Sequence, residues 1–165
     1  DTIYRSKTHK PCALQMIEKY ERYNQLMVSV HPVPLVEVGK YGILTGTWED
    51  HDKTVMNVNS MVEKPKSGYA EEYLGMKDAE GNTVYYGVFG QYVLTHEVFE
   101  QLADDIKAAD AKGDYSTEIE LTRALDTVRQ RSGMVAVTMQ GSMFDMGNPA
   151  ALRRAMYEFS EVYKD

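Results

Sequence analysis

The chain has 165 residues, a length that suits one domain or a large part of one. Apolar residues make up 43% of it, enough to bury a core and well outside the range of intrinsically disordered chains. Its 18 Lys and Arg against 25 Asp and Glu give a formal charge of −7, which argues against non-specific nucleic-acid binding, because that binding needs a cationic face. A phosphate-bearing small molecule stays compatible with this charge, since a local lysine or a bound metal can reverse its sign inside a cleft.

The sequence also restricts the cellular setting. Cys12 is the only cysteine, so no disulfide can form within the chain and we expect a reducing cytoplasm. A small buried role for Cys12 is favoured over a nucleophilic one, because no catalytic His or Asn signature accompanies it. No apolar run approaches the ~18 residues that a membrane span needs, and no basic-then-apolar leader precedes the first elements. The chain opens at Asp1 directly on a strand-like segment, and we interpret this as the start of a fragment.

The first half of the chain alternates one helix with several strands. The helix is predicted over residues 11–25, where apolar residues recur at helical spacing. Strands are predicted at residues 26–31, 41–48, 53–63 and 83–94. The second and third of these form a hairpin, because the residues between them are turn-like. Gly87 and Gly90 interrupt the last strand, which indicates a bulge or the close approach of a ligand.

The second half contains three helices and one strand. Thr95 is predicted to cap a helix that runs to residue 112, with Gly113 just beyond its end. Thr117 and Glu120 have the spacing of a capping box, and a strand follows at 134–139. The last helix opens at Asn148-Pro149. Its predicted buried stripe consists of Leu152, Ala155, Met156, Phe159 and Val162. The alternation of strands and helices predicts a layered α/β fold.

Four short segments place a glycine or a polar side chain at the end of a predicted strand, where the ligands of open α/β sheets gather. They are Tyr41-Gly42-Ile43, Val62-Glu63-Lys64-Pro65, Gly87-Val88-Phe89-Gly90-Gln91-Tyr92 and Phe144-Asp145-Met146-Gly147-Asn148-Pro149. Each has an ordinary structural alternative. Glu63 and Lys64 can be a solvated charge pair, and Asp145 can simply satisfy a turn. The four histidines lack metal-ligand spacing, and we interpret them as surface or turn residues.

Taken in order, these segments resemble the sugar-1-phosphate nucleotidyltransferase family. The family's Y-G-[IV] strand, V-E-K-P turn, G-x-[YF]-[VIF]-[LF] strand, E-I-x-L-T helix start and F-D-x-G-[NT] turn all have counterparts here. The counterparts are Tyr41-Gly42-Ile43, Val62-Glu63-Lys64-Pro65, Gly90-Gln91-Tyr92-Val93-Leu94, Glu118-Ile119-Glu120-Leu121-Thr122 and Phe144-Asp145-Met146-Gly147-Asn148. The resemblance covers nearly the whole chain. The last two motifs are more similar to the uridylyl branch than to the thymidylyl or adenylyl branches.

The resemblance implies a layered α/β/α fold of the nucleotide-diphospho-sugar transferase type, which is Rossmann-like, with a mixed and mostly parallel sheet. Residues 1–165 would be the carboxy-terminal part of a single catalytic domain that is incomplete on its amino-terminal side. The family's glycine-rich loop, which cradles the triphosphate with an Arg and a Lys, has no counterpart here. The opening Asp1-Thr2-Ile3-Tyr4 looks like the tail of the family's G-D-[DN] turn, whose aspartate binds magnesium.

The same resemblance implies the site residues. The substrate-binding set is Tyr41, Gly42, Glu63, Lys64 and Gly90. Lys64 would contact the sugar phosphate and Glu63 would accept hydrogen bonds from sugar hydroxyls, while Gly42 would let the backbone approach the sugar. Lys64 and Asp145 are the implied catalytic residues. The implied cofactor is Mg²⁺, held by Asp1 and Asp145, since this ion prefers one or two carboxylates plus phosphate oxygens and water.

The implied activity is transfer of a uridylyl group from UTP to glucose 1-phosphate, giving UDP-glucose and pyrophosphate, with neither nucleic acid nor membrane as a partner. The chain alone is expected to be inactive and to self-associate as a homo-oligomer, because removing part of a sheet exposes an edge and apolar surface. Three alternatives remain open at this point. They are a thymidylyl or other sugar-1-phosphate nucleotidyltransferase, a non-catalytic sugar-nucleotide-binding or regulatory relative, and an unrelated α/β interaction domain.

Overall fold

The computed structural model describes residues 2–49, 51–78, 80–113 and 118–160, and mixes strands and helices as the sequence pattern predicts. In chain order the elements are β1 (Thr2–Ser6), α1 (Cys12–Tyr23), β2 (Met27–Val33), a 3₁₀ helix (Leu35–Lys40), β3 (Gly42–Trp48), β4 (Val55–Glu63), α2 (Ser67–Tyr73), β5 (Met76–Lys77), β6 (Thr83–Val93), α3 (His96–Lys112), α4 (Leu121–Ser132), β7 (Val135–Thr138), β8 (Gly141–Asp145) and α5 (Pro149–Ser160). The main sheet has six strands in the order β2-β7-β4-β3-β6-β5. Strand β2 also pairs with β6, so five of these strands close into a ring.

The strand directions confirm a mixed sheet but correct one expectation. Within the described residues only β2 and β7 run parallel, and the other pairings of the sheet are antiparallel. A mostly parallel sheet is therefore wrong for this chain. The physical reason lies in the connections: β3 and β4 are joined by a short turn, which only antiparallel neighbours allow. Strands β2 and β7 are separated by most of the chain, including helices, and so can lie parallel.

Helices cover both faces of the sheet, which gives the predicted three layers. Successive strand residues point to opposite faces, so Val135 and Val137 of β7 pack under α1 while Ala136 packs toward α3 and α4. Helix α1 contributes Cys12 and Met16 to the first of these clusters. Helices α3 and α4 contribute Val98, Leu125 and Val128 to the second. A third cluster, under the 3₁₀ helix and α2, contains Val38, Ile43, Ala70, Leu74 and Tyr85.

A separate two-stranded ribbon, β1 with β8, carries the last helix. The strands are antiparallel, with Thr2 opposite Asp145. Helix α5 is fixed to this ribbon by an edge-to-face contact between Phe144 and Phe159, whose ring centroids are 5.6 Å apart. None of the helices in the described parts of the chain is both long enough and apolar enough to cross a membrane.

Most predicted elements are confirmed, with small shifts at their ends. Helix α3 ends at Lys112 with Gly113 in the left-handed conformation, as the glycine there predicts. The Asn148 side chain caps α5 by accepting hydrogen bonds from the amides of Ala150 and Ala151. The bulge predicted in the long strand is present: three residues of β6 lie opposite the single Ser29 of β2, and Gly90 is the middle one, with φ +79°.

Two helix predictions are wrong. The capping box fails because α4 begins only at Leu121, with Glu120 itself at the capping position and without a side-chain cap bond. Thr117, the other member of that box, lies outside the described residues. The predicted buried stripe of α5 is buried at Ala155 only, since Met156 is 66% exposed and Leu152 is 41% exposed. Val162 also lies outside the described residues.

Candidate functional site

The open end of the β3–β4 hairpin places the first group of predicted site residues. Gly42 begins β3 and lies opposite Glu63, the last residue of β4. The Lys64 amide then donates a hydrogen bond of 3.0 Å to the carbonyl of Tyr41, which ties the end of one strand to the start of the other. The strand register therefore brings the pair Tyr41-Gly42 next to the pair Glu63-Lys64, which lies about twenty positions further along the sequence.

Lys64 has a left-handed backbone, with φ +44°. This conformation is costly for a residue with a Cβ, by about 1–2 kcal/mol, and Pro65 adds to the cost because a proline favours an extended residue before it. Strain of this kind persists only where the surroundings fix it, and it is found most often at functional positions. The side chain stays 64% exposed, so its ammonium is available to a ligand.

The Glu63 carboxylate is held on several sides. Its Oε2 accepts a hydrogen bond of 2.9 Å from the Thr122 hydroxyl, and its Oε1 lies 3.6 Å from the Lys64 ammonium. Oε2 also lies only 3.0 Å from where a Cβ on Gly42 would stand. The glycine therefore makes room for the carboxylate itself, a function that the sequence pattern did not suggest.

Strand β6 approaches the same carboxylate. Burial raises the pKa of the Tyr92 hydroxyl, and the negative charge of Glu63 raises it further. Tyr92 follows directly on the bulge that contains Gly90. Gly90 is exposed, and a Cβ there would meet no atom within 4 Å, so its left-handed φ rather than crowding requires glycine.

The second group of predicted residues lies in a cleft of about 370 Å³ between the end of β2, the 3₁₀ helix, β8 and α5. Tyr41 and Asp145 both line it, together with Lys40 and Arg154. Burial raises the pKa of Tyr41, and the charges of Glu37 and then Asp145 add to the increase. Tyr41 thus belongs to both groups, through its carbonyl to Lys64 and through its ring to the cleft.

Asp145 has the chemistry of one magnesium ligand. Its Oδ1 accepts a hydrogen bond of 2.8 Å from the Gly147 amide, and none of the hydrogen bonds among the described residues uses Oδ2. One available carboxylate oxygen suits an ion that takes its other ligands from phosphate and water, and the cleft beside it carries two acidic side chains, Glu37 and Glu158, as well as Lys40 and Arg154. The described residues contain no group of three or more His, Cys, Asp or Glu that could hold a metal by themselves. Asp1, the second predicted ligand, lies outside the described residues.

Two residues of the site were not predicted, Thr122 and Tyr92. Both stand inside motifs that carried the family resemblance, the first ending E-I-x-L-T and the second in the strand after Gly90. Their motif positions were the available signal. What the sequence could not supply was the partner, because Thr122 is 59 residues from Glu63 along the chain.

The comparisons with known proteins agree with this architecture. The family model for nucleotidyl transferases matches residues 1–161. The UTP–glucose-1-phosphate uridylyltransferase of Streptococcus pneumoniae serotype 4 is 29% identical over 150 residues, which are 91% of this chain and 44% of that protein. The enzyme of the same name from Pseudomonas aeruginosa is 30% identical over 151 residues, 91% of this chain and 47% of that protein.

A crystal structure of UDP-glucose pyrophosphorylase complexed with UDP-glucose matches with a TM-score of 0.75 and 27% identity. The match covers 98% of this chain and 53% of that one. The chain thus spans about half the length of the relatives it matches. Its layered fold is the fold of these proteins. The chain belongs to the nucleotidyl transferase family.

Proposed function

We propose that this chain is the sugar-phosphate-binding half of a UTP–glucose-1-phosphate uridylyltransferase. The observation that carries the proposal is the Glu63–Lys64 pair, held by strand register and by a strained backbone at the end of the β3–β4 hairpin. An ordinary solvated pair needs neither a left-handed lysine nor a carboxylate bonded from a distant helix. The names of the relatives supply the substrate class.

In the proposed reaction, a phosphate oxygen of glucose 1-phosphate forms a bond to the α-phosphorus of UTP. The bond from that phosphorus to the bridging oxygen of the β-phosphate breaks, and pyrophosphate leaves with the electron pair. Such transfers depend on alignment and on neutralising charge rather than on acid–base catalysis. The Lys64 ammonium would bind the sugar phosphate and hold its attacking oxygen in line. Glu63 would accept hydrogen bonds from sugar hydroxyls and so orient the ring.

The cleft beside this pair would receive the rest of the nucleotide sugar. Tyr41 would form the wall between the two parts of the site, and the bulge at Gly90 would leave backbone open to the substrate. Asp145, with Asp1, would hold Mg²⁺, which when bound neutralises charge on the phosphates. We further propose a cytoplasmic location and assembly of the chain with copies of itself. Light scattering tests the assembly, and a monodisperse monomer would contradict it.

The central test is titration of the chain with glucose 1-phosphate by calorimetry. Lys64→Ala should weaken binding by about ten- to a hundredfold, which is the usual contribution of a hydrogen bond to a charged group. Lys66→Ala is the matched control, since it removes another exposed lysine two residues away, just before α2, and should leave affinity within twofold. Equal effects of the two variants, or no binding by the unaltered chain, would refute the proposal. Pyrophosphate release by the chain alone should be undetectable.

A further inference from the structure

The hydrogen bond between Thr122 and Glu63 joins the candidate site to helix α4, which packs against the strand that carries Glu63. Thr122 is the second residue of α4, and its hydroxyl donates to Glu63 Oε2 at 2.9 Å in a partly buried setting. Helix α4 is itself anchored, because Ala124, Leu125 and Val128 are completely or almost completely buried. The donor therefore stands on one of the better fixed elements of the molecule.

The start of α4 also favours a negative charge. The first turn contains no acidic side chain, and its capping residue, Glu120, makes no side-chain cap bond. The amino-terminal end of a helix carries a partial positive charge that stabilises a nearby anion. Glu63, which comes from β4, is the carboxylate that the Thr122 hydroxyl brings to this helix end.

The remaining surroundings leave Glu63 little freedom. Gly42 lies against Oε2 on one side, with the Thr122 methyl group 3.9 Å from the position of its missing Cβ. With Oε2 occupied by the hydroxyl, Oε1 is the oxygen that faces Lys64. The side chain remains 29% exposed, so the carboxylate is oriented but still accessible.

We propose that Thr122 is a positioning residue, whose hydroxyl fixes the Glu63 carboxylate in the orientation that accepts hydrogen bonds from the sugar. This inference rests on the proposed function, since it assigns the sugar hydroxyls to Glu63. Thr122 does not touch the substrate in this arrangement. Its hydroxyl restricts the rotation of the Glu63 side chain before the sugar binds, so that binding costs less conformational entropy.

The proposal assigns the sugar hydroxyls to Glu63 and the phosphate to Lys64, and this difference gives a specific test. Thr122→Val keeps the shape of the side chain and removes the donor, whereas Thr122→Ser keeps the donor. Binding of glucose 1-phosphate should weaken about tenfold in Thr122→Val and return to within threefold of the unaltered chain in Thr122→Ser. Binding of inorganic phosphate, which needs Lys64 but no sugar contact, should change less than twofold in either variant.

Thr127→Val is the matched control, because Thr127 lies in the same helix and, among the described residues, its hydroxyl donates only to the helix carbonyl of Arg123. It should leave both affinities unchanged. In a Glu63→Ala background, which removes the acceptor of the Thr122 hydroxyl, Thr122→Val should add less than twofold to the loss, since the interaction between the two side chains is already absent. Should Thr122→Val lower the melting temperature, comparison of Thr122→Ala with Thr122→Ser at a temperature where both are folded serves the same purpose.

The outcomes separate the two claims. Absence of glucose 1-phosphate binding by the unaltered chain would overturn the proposed function and this inference together. Binding that depends on Lys64 but is unaffected by Thr122→Val would overturn the inference and leave the proposed function in place. A parallel loss of sugar-phosphate and inorganic-phosphate binding in Thr122→Val would also overturn it, because that result indicates a general structural role.

Discussion

Alanine substitution at three glycines, Gly42, Gly46 and Gly68, should change the stability of the molecule and its affinity for glucose 1-phosphate to different extents. In Gly42→Ala the new Cβ would stand 3.0 Å from Glu63 Oε2 and 3.5 Å from the Met61 methyl group. Both atoms end flexible side chains and can retreat by a few tenths of an ångström. Gly→Ala at an ordinary φ also stabilises a protein by about 0.4–1 kcal/mol through the unfolded state. The net change in the free energy of unfolding should be within about 1 kcal/mol, or about 2–4 °C in melting temperature.

Binding should respond differently from stability in the same variant. When Oε2 retreats, its hydrogen bond to Thr122 lengthens and the carboxylate turns away from the orientation described above. Loss of a hydrogen bond of ordinary net strength corresponds to about a three- to tenfold weaker affinity for glucose 1-phosphate. The assays are a thermal melt and a calorimetric titration on the same preparation. Unchanged affinity with unchanged stability would refute the reasoning, since it would mean that the carboxylate position does not matter.

Two further glycines calibrate the result. Gly46→Ala would place a Cβ 2.0 Å from the carbonyl oxygen of Asn57, a backbone atom that cannot move aside, so we expect a loss of about 3 kcal/mol or more. Gly68→Ala meets no atom within 4 Å and lies in α2, so it should stabilise the chain by about 0.5–1 kcal/mol. Neither should change affinity at a temperature where the variant is folded.

Three other predictions follow from single residues of the described structure. Lys64→Gly should be about 1 kcal/mol more stable than Lys64→Ala by thermal melt, because only glycine adopts the left-handed backbone without cost. Both variants should lose phosphate affinity. Equal stability of the two variants would contradict the claim that the Lys64 backbone is strained. Asp145→Asn should abolish any Mg²⁺-dependent gain in UDP-glucose affinity while leaving the melting temperature within about 2 °C, and a retained gain would exclude Asp145 as a ligand. Burial, with the charge of Lys7, lowers the pKa of His31 below its usual 6.5. The unfolded chain therefore binds a proton at this residue more readily than the folded chain does. The free energy of unfolding should decrease as the pH falls below about 6.5. His31→Gln should flatten the melting temperature between pH 6.5 and 5, whereas the same change at the exposed His9 should not; a dependence unaltered by His31→Gln would refute this assignment.

Local pattern was enough to predict the helices and strands that present a clear apolar period. Helix α3 and the β3–β4 hairpin are of this kind, since the spacing, the stop at Gly113 and the turn residues agree. The predicted cap is confirmed in position only, because Thr95 precedes α3 but makes no side-chain cap bond. Helix α2 was missed, because Ser67 and Gly68 open it and its seven residues are too few for a period to show. It is stabilised instead by the docking of Ala70 and Leu74 on Val38, which is a tertiary contact.

Strand direction and side-chain partners could not be predicted from local pattern, because both depend on contacts between distant parts of the chain. The mostly parallel sheet was taken over from the family as a whole, whereas this chain contains mainly the antiparallel pairings. At the site, Glu63 and Lys64 are neighbours in sequence and their motif identified them. The hydroxyl that fixes Glu63 comes from another layer of the fold, and only the packing of α4 shows which residue that is.

The ring made by β2, β7, β4, β3 and β6 has a consequence for how the molecule opens. Each of these strands pairs along both of its edges, so none can leave without breaking two ladders at once. Local opening should therefore begin at β5 and at the β1–β8 ribbon, while the five strands exchange their amide protons as one cooperative unit.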